Sequence, residues 1–261
     1  MPHIDANGIT LHYRIDGPED GRPLLLSNSL ASNLHMWDPQ IADLTAAGFR
    51  VIRYDSRGHG LSDAPDGAYS IEMLAGDAVA LLDGLGIERT DYCGLSKGGM
   101  VGQMLGVRHR DRVSKLILAD TSAHMPTQEM WDGRVRTVEK GGMAAVADAT
   151  IERWFTPASQ QRLKEDIDTV RDMILGTPPQ GFIGCCRAIQ AMDQRETIGG
   201  IDTPTLVIVG AEDPATTPEH AREIHGLIKG SGYVEIPEAA HFANFEQPAA
   251  FTRAMLEFLN G

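Results

Sequence analysis

The sequence predicts an α/β protein: a mostly parallel central sheet with helices on both faces and one helical insertion. Short apolar runs, typical of strands covered on both faces, alternate with longer segments whose apolar residues repeat at helical spacing. This alternation is the pattern of a parallel sheet. The loops that follow its strands are therefore expected to meet at one edge of the sheet, where ligands bind.

The individual elements follow from these patterns. Segment 9–15 alternates apolar and polar residues as a half-exposed edge strand does, whereas 23–26 is a continuous apolar run. The predicted strands are 9–15, 23–26, 49–54, 91–95, 113–119, 204–209 and 232–236. The predicted core helices are 38–47, 71–85, 96–107, 218–228 and 247–259.

The alternation of strands and helices stops between residues 122 and 197. Apolar residues there follow helical spacing, as at Met130, Trp131, Val135 and Val138, and we find no strand-like run. We therefore predict a helical cap, 122–197, between the two parts of an α/β core, 1–121 and 198–261. Such an insertion is expected to cover the functional edge of the sheet.

Composition limits the classes of partner. A formal net charge of −13 argues against nucleic acid and anionic membranes and favours a small-molecule substrate. An anionic substrate would need a local cation. We find no leader pattern and no apolar run near the roughly 18 residues of a membrane span. Three cysteines make no disulfide framework, so a cytoplasmic location is expected.

The sequence implies no cofactor. Histidines and cysteines lack the clustered spacing of a metal site, and no organic cofactor motif is evident. The oligomeric state stays open, a homo-oligomer included.

The stretch 91–100 carries the strongest catalytic signal. Ser96 lies within Gly94-x-Ser96-x-Gly98, the pattern of a nucleophile elbow between a strand and a helix. Glycines two residues on either side of the serine avoid a clash of backbones. The new helix would turn its free N–H groups and positive dipole end toward an oxyanion. Ser96 is therefore the candidate nucleophile.

A serine nucleophile needs a base and a group that orients the base. His241 follows the last predicted strand and precedes the final helix, so it is the predicted base. His59 and His124 are outside candidates, and the other histidines, His12 among them, are expected on solvated surfaces. Ser96, Asp213 and His241 follow the expected chain order. Asp213 is favoured as the acid because its Gly210-x-x-Asp213 loop, with Thr217-Pro218 opening the next helix, suits a buried, fixed carboxylate.

Two other acids stay open. Asp120 follows the strand 113–119 and would preserve the same order, although its alternative role is to cap the start of the helical insertion. Glu212 is the third candidate and is expected to face solvent.

An oxyanion hole is expected from two backbone N–H groups, those of Leu30 and Lys97. The neighbouring Ser29 and Ala31 are the alternatives to Leu30 as the donor from this loop. Ser29 is also a candidate for binding substrate oxygen, together with Ser27 and Asn28, and simple turn formation is the alternative. The Lys97 side chain is expected to turn to solvent, and attraction of an anionic substrate is the alternative.

The chain resembles the α/β-hydrolases over essentially its whole length. The motifs that carry this resemblance are Asp55-x-Arg57-Gly58-His59-Gly60, Gly94-x-Ser96-x-Gly98-Gly99, Gly210-x-x-Asp213 and Ala240-His241. Within that superfamily it is similar to the 3-oxoadipate enol-lactonases of aromatic-acid breakdown. The narrower similarity rests on Ser27-Asn28-Ser29-Leu30, Met36-Trp37, Glu129-Met130-Trp131-x-x-Arg134 and Gly181-Phe182-x-x-Cys185-Cys186-x-Ala188-Ile189.

This resemblance implies hydrolysis of a five-membered enol-lactone with a carboxylate side chain. Trp131, Arg134 and Trp154 are the cap candidates for substrate binding, with packing in the cap as the alternative for the tryptophans and a solvated face for Arg134. Arg57, Gly58 and His59 are expected to shape a loop. Cys93, Cys185 and Cys186 are expected to be packing residues.

Other functions remain compatible with the same residues. A general carboxylesterase, another lactonase or a cofactor-free perhydrolase would use the same triad, as would a carbon–carbon bond hydrolase acting on a diketone. A haloalkane dehalogenase is disfavoured because serine, not aspartate, occupies the elbow. A small-molecule receptor on a hydrolase scaffold is the alternative from another functional class.

Overall fold

The computed structural model describes residues 2–261. One eight-stranded sheet has the order β1-β2-β4-β3-β5-β6-β7-β8. The strands are β1 (His3–Ala6), β2 (Ile9–Asp16), β3 (Arg22–Ser27), β4 (Phe49–Tyr54), β5 (Thr90–Leu95), β6 (Val113–Ala119), β7 (Thr205–Gly210) and β8 (Gly232–Ile236). The pairs β1–β2 and β2–β4 are antiparallel and all other neighbours are parallel. The predicted mostly parallel sheet is thus confirmed.

Helices follow most of the strands. The α-helices are α1 (Asp38–Ala46), α2 (Ile71–Gly84), α3 (Lys97–Arg108), α4 (Gln128–Gly141), α5 (Ala144–Trp154), α6 (Pro157–Arg162), α7 (Lys164–Leu175), α8 (Pro179–Ala191), α9 (Pro218–Leu227), α10 (Ala243–Glu246) and α11 (Pro248–Asn260). Short 3-10 turns occupy Leu34–Trp37, Arg110–Arg112 and Ile198–Gly200. Among residues 2–261, no helix combines the length and apolar character needed to cross a membrane.

The sheet begins with a hairpin that the sequence patterns did not predict. β1 and β2 are joined by Asn7 and Gly8, both with positive φ, 49° and 78°. Ala6 pairs with Ile9 across this two-residue turn. An Asn-Gly pair between strands is a strong hairpin signal, but β1 has only four residues, too few for its polar–apolar alternation to be distinctive.

The core lies on both faces of the central strands. Every residue of β5 and of β7 is buried, which requires cover on each face. α2 packs against α3, and α1 packs against α11. Cys93, Cys185 and Cys186 are buried free thiols, as expected of packing residues.

Five helices, α4 to α8, occupy residues 128–191 between β6 and β7. In α4, the buried face contains Trp131, Val135 and Val138, whereas Met130 is 37% exposed. Residues of α4, α5 and α8 contribute to the cavity described below.

Candidate active site

Ser96 occupies a strained turn between β5 and α3. Its φ and ψ are 58° and −115°, a conformation that costs about 1–3 kcal/mol for a residue with a Cβ. A Cβ added at Gly94 would lie 2.1 Å from the carbonyl oxygen of Gly98, and one at Gly98 would lie 2.2 Å from that of Ser27. The two glycines of the elbow pattern are therefore sterically required.

The end of β6 holds this turn in place. The Ser96 N–H donates to the carbonyl of Ala119 at 2.9 Å. The Thr121 hydroxyl donates to the carbonyl of Ser96 at 2.7 Å. Both backbone polar groups of Ser96 are thus satisfied while its side chain remains available.

His241 and Asp213 form a buried pair. His241 Nδ1 lies 2.8 Å from Asp213 Oδ2. The other carboxylate oxygen accepts the N–H groups of Ala215 at 2.7 Å and Thr216 at 3.0 Å. These bonds fix an ionised carboxylate against Nδ1, so Nδ1 carries the proton and Nε2 is free to act as a base.

Thr216 joins this pair, a role that the sequence analysis missed. Its hydroxyl donates to Asp213 Oδ2 at 2.8 Å and lies 3.1 Å from His241 Nδ1. The available signal was a threonine three residues after the acid, a spacing at which a side chain and its N–H can return to the same carboxylate.

Ser96 and His241 line the same cavity. Within the described part of the chain, Ser96 Oγ forms no hydrogen bond. The hydrogen bond between Ser96 and His241 that a serine nucleophile would need is therefore not formed in this structure. Catalytic hydrogen bonds are often long in unliganded sites and tighten when substrate binds. His59 and His124, the outside candidates for the base, do not contribute to this cavity.

Asp120 is placed differently from Asp213. It is fully buried, and its Oδ1 accepts the N–H of Gly210 at 2.7 Å. It therefore fastens β6 to β7, and the expectation that it caps the start of the insertion is wrong. Burial raises the pKa of Asp120 well above its ordinary value, with the Asp213 carboxylate as the next cause. Glu212 is exposed, as expected.

The backbone of the loop after β3 leaves one N–H free at the cavity. The Ser29 N–H points to the sulfur of Met36 at 3.3 Å, and the Ala31 N–H donates to His59 Nε2 at 3.0 Å. Between them, the N–H of Leu30 has no partner among residues 2–261, and Leu30 lines the cavity. Lys97, the first residue of α3, has no earlier carbonyl in its helix to accept from its N–H.

Ser29 also presents an unsatisfied side chain. Its hydroxyl is buried, has no hydrogen-bond partner in the described structure, and belongs to a residue of the cavity wall. Ser27 and Asn28 instead bond to the hydroxyl and the carbonyl of Tyr54 at the end of β4, so their side chains link this loop to the neighbouring strand and do not form a local turn.

The side chain of Lys97 is buried, contrary to the expected solvent-facing orientation. Only 1% of Lys97 is exposed, and its Nζ donates to the hydroxyl of Ser56 in the loop after β4. Burial lowers the pKa of Lys97. The sequence could not show that the loop at Ser56 folds over this position.

His12 is also buried, so its predicted solvated position is wrong. Its Nδ1 lies 2.7 Å from Asp55 Oδ2. The alternating pattern of β2 suggested one wet face, but the loop after β4 covers it: the Ser62 hydroxyl accepts the His12 N–H at 2.9 Å.

The predicted cap residues Trp131, Arg134 and Trp154 all line the cavity. The Arg134 guanidinium lies over the Trp131 ring, 4.7 Å from its centroid, and Trp131 Nε1 is buried without a described partner. Trp154 also packs, since its ring stacks on Phe242. Burial lowers the pKa of Arg134.

Arg153 is a second guanidinium in the cavity wall, and the sequence analysis missed it. It donates to the hydroxyl of Thr150 at 3.2 Å. Burial, and then the charge of Arg134, lower the pKa of Arg153 to about 10. In the described structure, neither arginine forms an ion pair with a carboxylate. The signal available was Arg153-Trp154, an arginine beside an aromatic residue as in the α4 segment.

The fold and this site define the class of protein. The family model of the alpha/beta hydrolase fold matches residues 22–248. The chain belongs to this family, as the sequence motifs indicated.

Individual relatives are similar over nearly the full length. A curated relative, 3-oxoadipate enol-lactonase 2 of Acinetobacter baylyi, is 37% identical over 97% of this chain and 94% of its own. The crystal structure of the enol-lactonase from Burkholderia xenovorans is 43% identical, with a TM-score of 0.97 and full coverage of both chains. A malate-bound thermophilic esterase from Thermogutta terrifontis is 31% identical, with a TM-score of 0.93, and covers 100% of this chain and 98% of its own. The predicted resemblance to enol-lactonases is thus confirmed.

Proposed function

We propose that the protein is a serine hydrolase that opens a small enol-lactone carrying a carboxylate, 3-oxoadipate enol-lactone, to 3-oxoadipate. The reaction passes through an acyl-enzyme on Ser96 and belongs to aromatic-compound breakdown. The similarity to enol-lactonases supports the substrate, and the make-up of the cavity supports it independently.

One observation carries the proposal: the cavity that contains Ser96 and His241 also contains two guanidinium groups without a carboxylate partner. Both guanidinium groups are partly buried, and charges withdrawn from water in proteins are normally paired. Arg134 and Arg153 therefore suit an anionic ligand that supplies the missing charge. An arginine fork matches a carboxylate particularly well, because it donates two parallel hydrogen bonds.

Two further donors in the same wall fit an oxygen-rich ligand. The Ser29 hydroxyl and Trp131 Nε1 are buried without partners in the described structure. Buried polar groups are rarely left unsatisfied, so a bound ligand or water accounts for them. A carboxylate and a lactone ring supply acceptors, while Phe182 and Ile189 provide apolar contacts for the ring carbons.

The size of the cavity favours a small substrate. Its volume is about 130 Å³, well below the roughly 300–1,000 Å³ of pockets for drug-sized ligands. A monocyclic lactone is compatible with this space.

In the acylation step, Ser96 Oγ attacks the lactone carbonyl carbon while His241 Nε2 takes the hydroxyl proton. Asp213, bonded to Nδ1, stabilises the imidazolium that forms. The N–H groups of Leu30 and Lys97 bind the oxyanion. The ring carbon–oxygen bond then breaks, the leaving enolate oxygen takes the proton from His241 Nε2, and the enol tautomerises to the ketone.

In the deacylation step, His241 Nε2 removes a proton from water, and the resulting nucleophile attacks the ester carbonyl on Ser96. Collapse of the second tetrahedral intermediate returns the proton to Ser96 Oγ and releases a new carboxylate. One water is consumed for each lactone opened. The product carries two carboxylates, which equals the number of guanidinium groups in the cavity wall, those of Arg134 and Arg153.

The test is hydrolysis of the enol-lactone, followed by loss of its ultraviolet absorbance, for wild type and Ser96→Ala, with a neutral aryl ester in parallel. Ser231→Ala is the matched control. Ser231 lies at the amino end of β8, whereas the site is at the carboxyl ends of the strands. We expect Ser96→Ala to lower kcat at least about 10⁴-fold on both substrates, and the control to match wild type. Wild type should prefer the lactone strongly.

Two results would contradict parts of the proposal. Slow lactone opening with fast ester cleavage would retain the Ser96 mechanism and replace the enol-lactone by a general ester substrate. Turnover of both substrates that persists in Ser96→Ala would exclude Ser96 as the nucleophile.

A further inference from the structure

His59 is a buried histidine that the proposed chemistry does not use. It is fully buried and lies in the loop after β4. One ring nitrogen, Nε2, faces the N–H of Ala31 at 3.0 Å, and the other, Nδ1, lies 3.1 Å from the carbonyl of Arg57. The ring thus bridges two loops that leave adjacent strands at the active edge of the sheet.

These contacts fix the protonation state of the ring. An N–H group donates, so Nε2 must be the unprotonated acceptor, and Nδ1 carries the single proton that is donated to the Arg57 carbonyl. Burial, and then the ammonium charge of Lys97, lower the pKa of His59 well below its ordinary value. Both effects preserve the neutral ring that the bridge requires.

The residue that His59 holds is strained. Ala31 has φ 61°, in the left-handed region, which is unfavourable for a residue with a Cβ. Because the bond from His59 satisfies its buried N–H, this turn of the backbone is stabilised. Leu30, the preceding residue, is the one whose N–H remains free at the cavity.

Further hydrogen bonds hold the loop after β4, which carries His59. Arg57 forms two hydrogen bonds to Asp77, Nε to Oδ2 at 2.8 Å and a terminal nitrogen to Oδ1 at 2.7 Å. Asp55, in the same loop, accepts the N–H of Leu34 at 2.8 Å. The loop after β4 therefore holds the loop after β3 at two points, Ala31 within the turn and Leu34 after it.

The same loop contacts the other half of the oxyanion hole. The Nζ of Lys97 donates to the hydroxyl of Ser56. Both residues that supply the N–H groups are thus connected to residues 55–59. Leu30 is connected through its neighbour Ala31, and Lys97 through its side chain.

We propose that His59 is a positioning residue of the oxyanion hole: its neutral ring holds the Ala31 N–H and thereby keeps the Leu30 N–H directed at the developing oxyanion. This inference rests on the proposed function, in which Ser96 forms tetrahedral intermediates. It concerns the transition state and not the binding of the planar substrate.

The decisive experiment compares His59→Phe, which keeps a planar ring without an acceptor, with His59→Gln, whose amide offers both an acceptor and a donor. For each we would measure kcat and KM, the inhibition constant of a small alkylboronic acid that adds to Ser96 as a tetrahedral adduct, and the affinity of the planar product. His225→Phe, in α9 with its ring bonded to Ser231, is the matched control.

We expect His59→Phe to lower kcat about 10- to 100-fold, less than the loss of an entire oxyanion donor. KM and product affinity should change less than about 3-fold, because only transition-state binding is affected. The boronic acid should bind more weakly by the same factor as the loss in kcat, and His59→Gln should recover part of it. A purely structural role would instead weaken both ligands equally.

Two results would overturn the inference. The first is an unchanged kcat and boronate affinity in His59→Phe, measured while Ser96→Ala remains inactive. If Ser96→Ala is active, the proposed function fails instead. The second needs no variant: nitrogen-15 NMR of histidine-labelled wild type should show His59 neutral with the proton on Nδ1. A protonated ring, or the proton on Nε2, excludes the bridge even if the variants fail to fold.

Discussion

Trp154 at the end of α5 stacks on Phe242, the residue after His241, with ring centroids 4.1 Å apart and planes 8° apart. The backbone makes a second contact, since the Phe242 N–H donates to the Trp154 carbonyl at 3.0 Å. The helices inserted between β6 and β7 are therefore attached directly to the loop that carries the base. The same tryptophan lines the cavity.

Replacing Trp154 tests this attachment. Trp154→Ala removes a buried ring and is expected to reduce the free energy of unfolding by about 3–5 kcal/mol, and to lower kcat because His241 loses its packed neighbour. Trp154→Phe retains a stacking ring and should lose less than half as much of both. Urea unfolding and kcat measure the two effects. Equal losses in the two variants would contradict a role for stacking.

The two buried acids should behave differently as asparagine variants. In Asp213→Asn the amide oxygen is expected to keep the bonds from the Ala215 and Thr216 N–H groups, which places an NH2 donor against His241 Nδ1. The resulting wrong tautomer of His241 should lower kcat about 10⁴-fold. In Asp120→Asn the amide oxygen still accepts the Gly210 N–H, so kcat should change less than about 10-fold. Steady-state measurement of kcat for both variants tests which of the two acids serves His241. A larger loss in Asp120→Asn would make Asp120 the acid.

Asp120 also predicts a pH dependence of stability. Burial, followed by the charges of Asp213 and Glu246, raises its pKa well above the ordinary 3.8. The folded state therefore holds this proton more tightly than the unfolded state. Its contribution to stability is complete below the unfolded pKa and is lost as pH rises toward the folded pKa, by up to about 1.4 kcal/mol per pH unit.

Asp120→Asn should abolish that decline. Urea unfolding of both proteins from pH 4 to pH 8 would measure the difference in free energy of unfolding. We expect this difference to shift in favour of the variant as pH rises. A difference that stays constant over the series would show that Asp120 has an ordinary pKa in the folded protein.

The two cavity arginines should govern preference for anionic substrates. Arg134→Met or Arg153→Met is expected to lower kcat/KM for the enol-lactone about 10- to 100-fold, since a charge-assisted hydrogen bond contributes about 1.5–3 kcal/mol. The loss on a neutral aryl ester should be much smaller. Arg136→Met, on the same helix as Arg134 but exposed and paired with Glu129, is the control. Equal losses on the two substrates would point to packing instead of charge recognition.

Much of the fold and part of the site could be predicted because their signals are local. The elbow at Ser96 needs glycines at fixed spacing, and the buried strands need continuous apolar runs, so both are visible in a few adjacent residues. Asp213 and His241 follow from strand ends whose order the architecture fixes. The structure brings these three residues to one edge of the sheet.

The missed features depend on contacts between distant segments. Lys97 and His12 were expected in solvent, as lysine and histidine usually are, but residues 55–62 fold over both. Arg153 lies on a helix whose place in the cavity wall is set by packing of the inserted helices. β1 was missed although its signal is local, because Asn7-Gly8 alone marks a hairpin in the sequence.

The two guanidinium groups of the cavity lie in a protein whose formal net charge is −13. At long range the molecule as a whole repels an anionic lactone, and only inside the cavity does it attract one. Dissolved salt screens exposed charges more effectively than buried ones. Moderate ionic strength should therefore accelerate capture of the anion, the reverse of the usual behaviour for ionic binding. In the proposed reaction, the carboxylate produced by hydrolysis adds a second negative charge, so the surrounding acidic surface would also favour departure of the product.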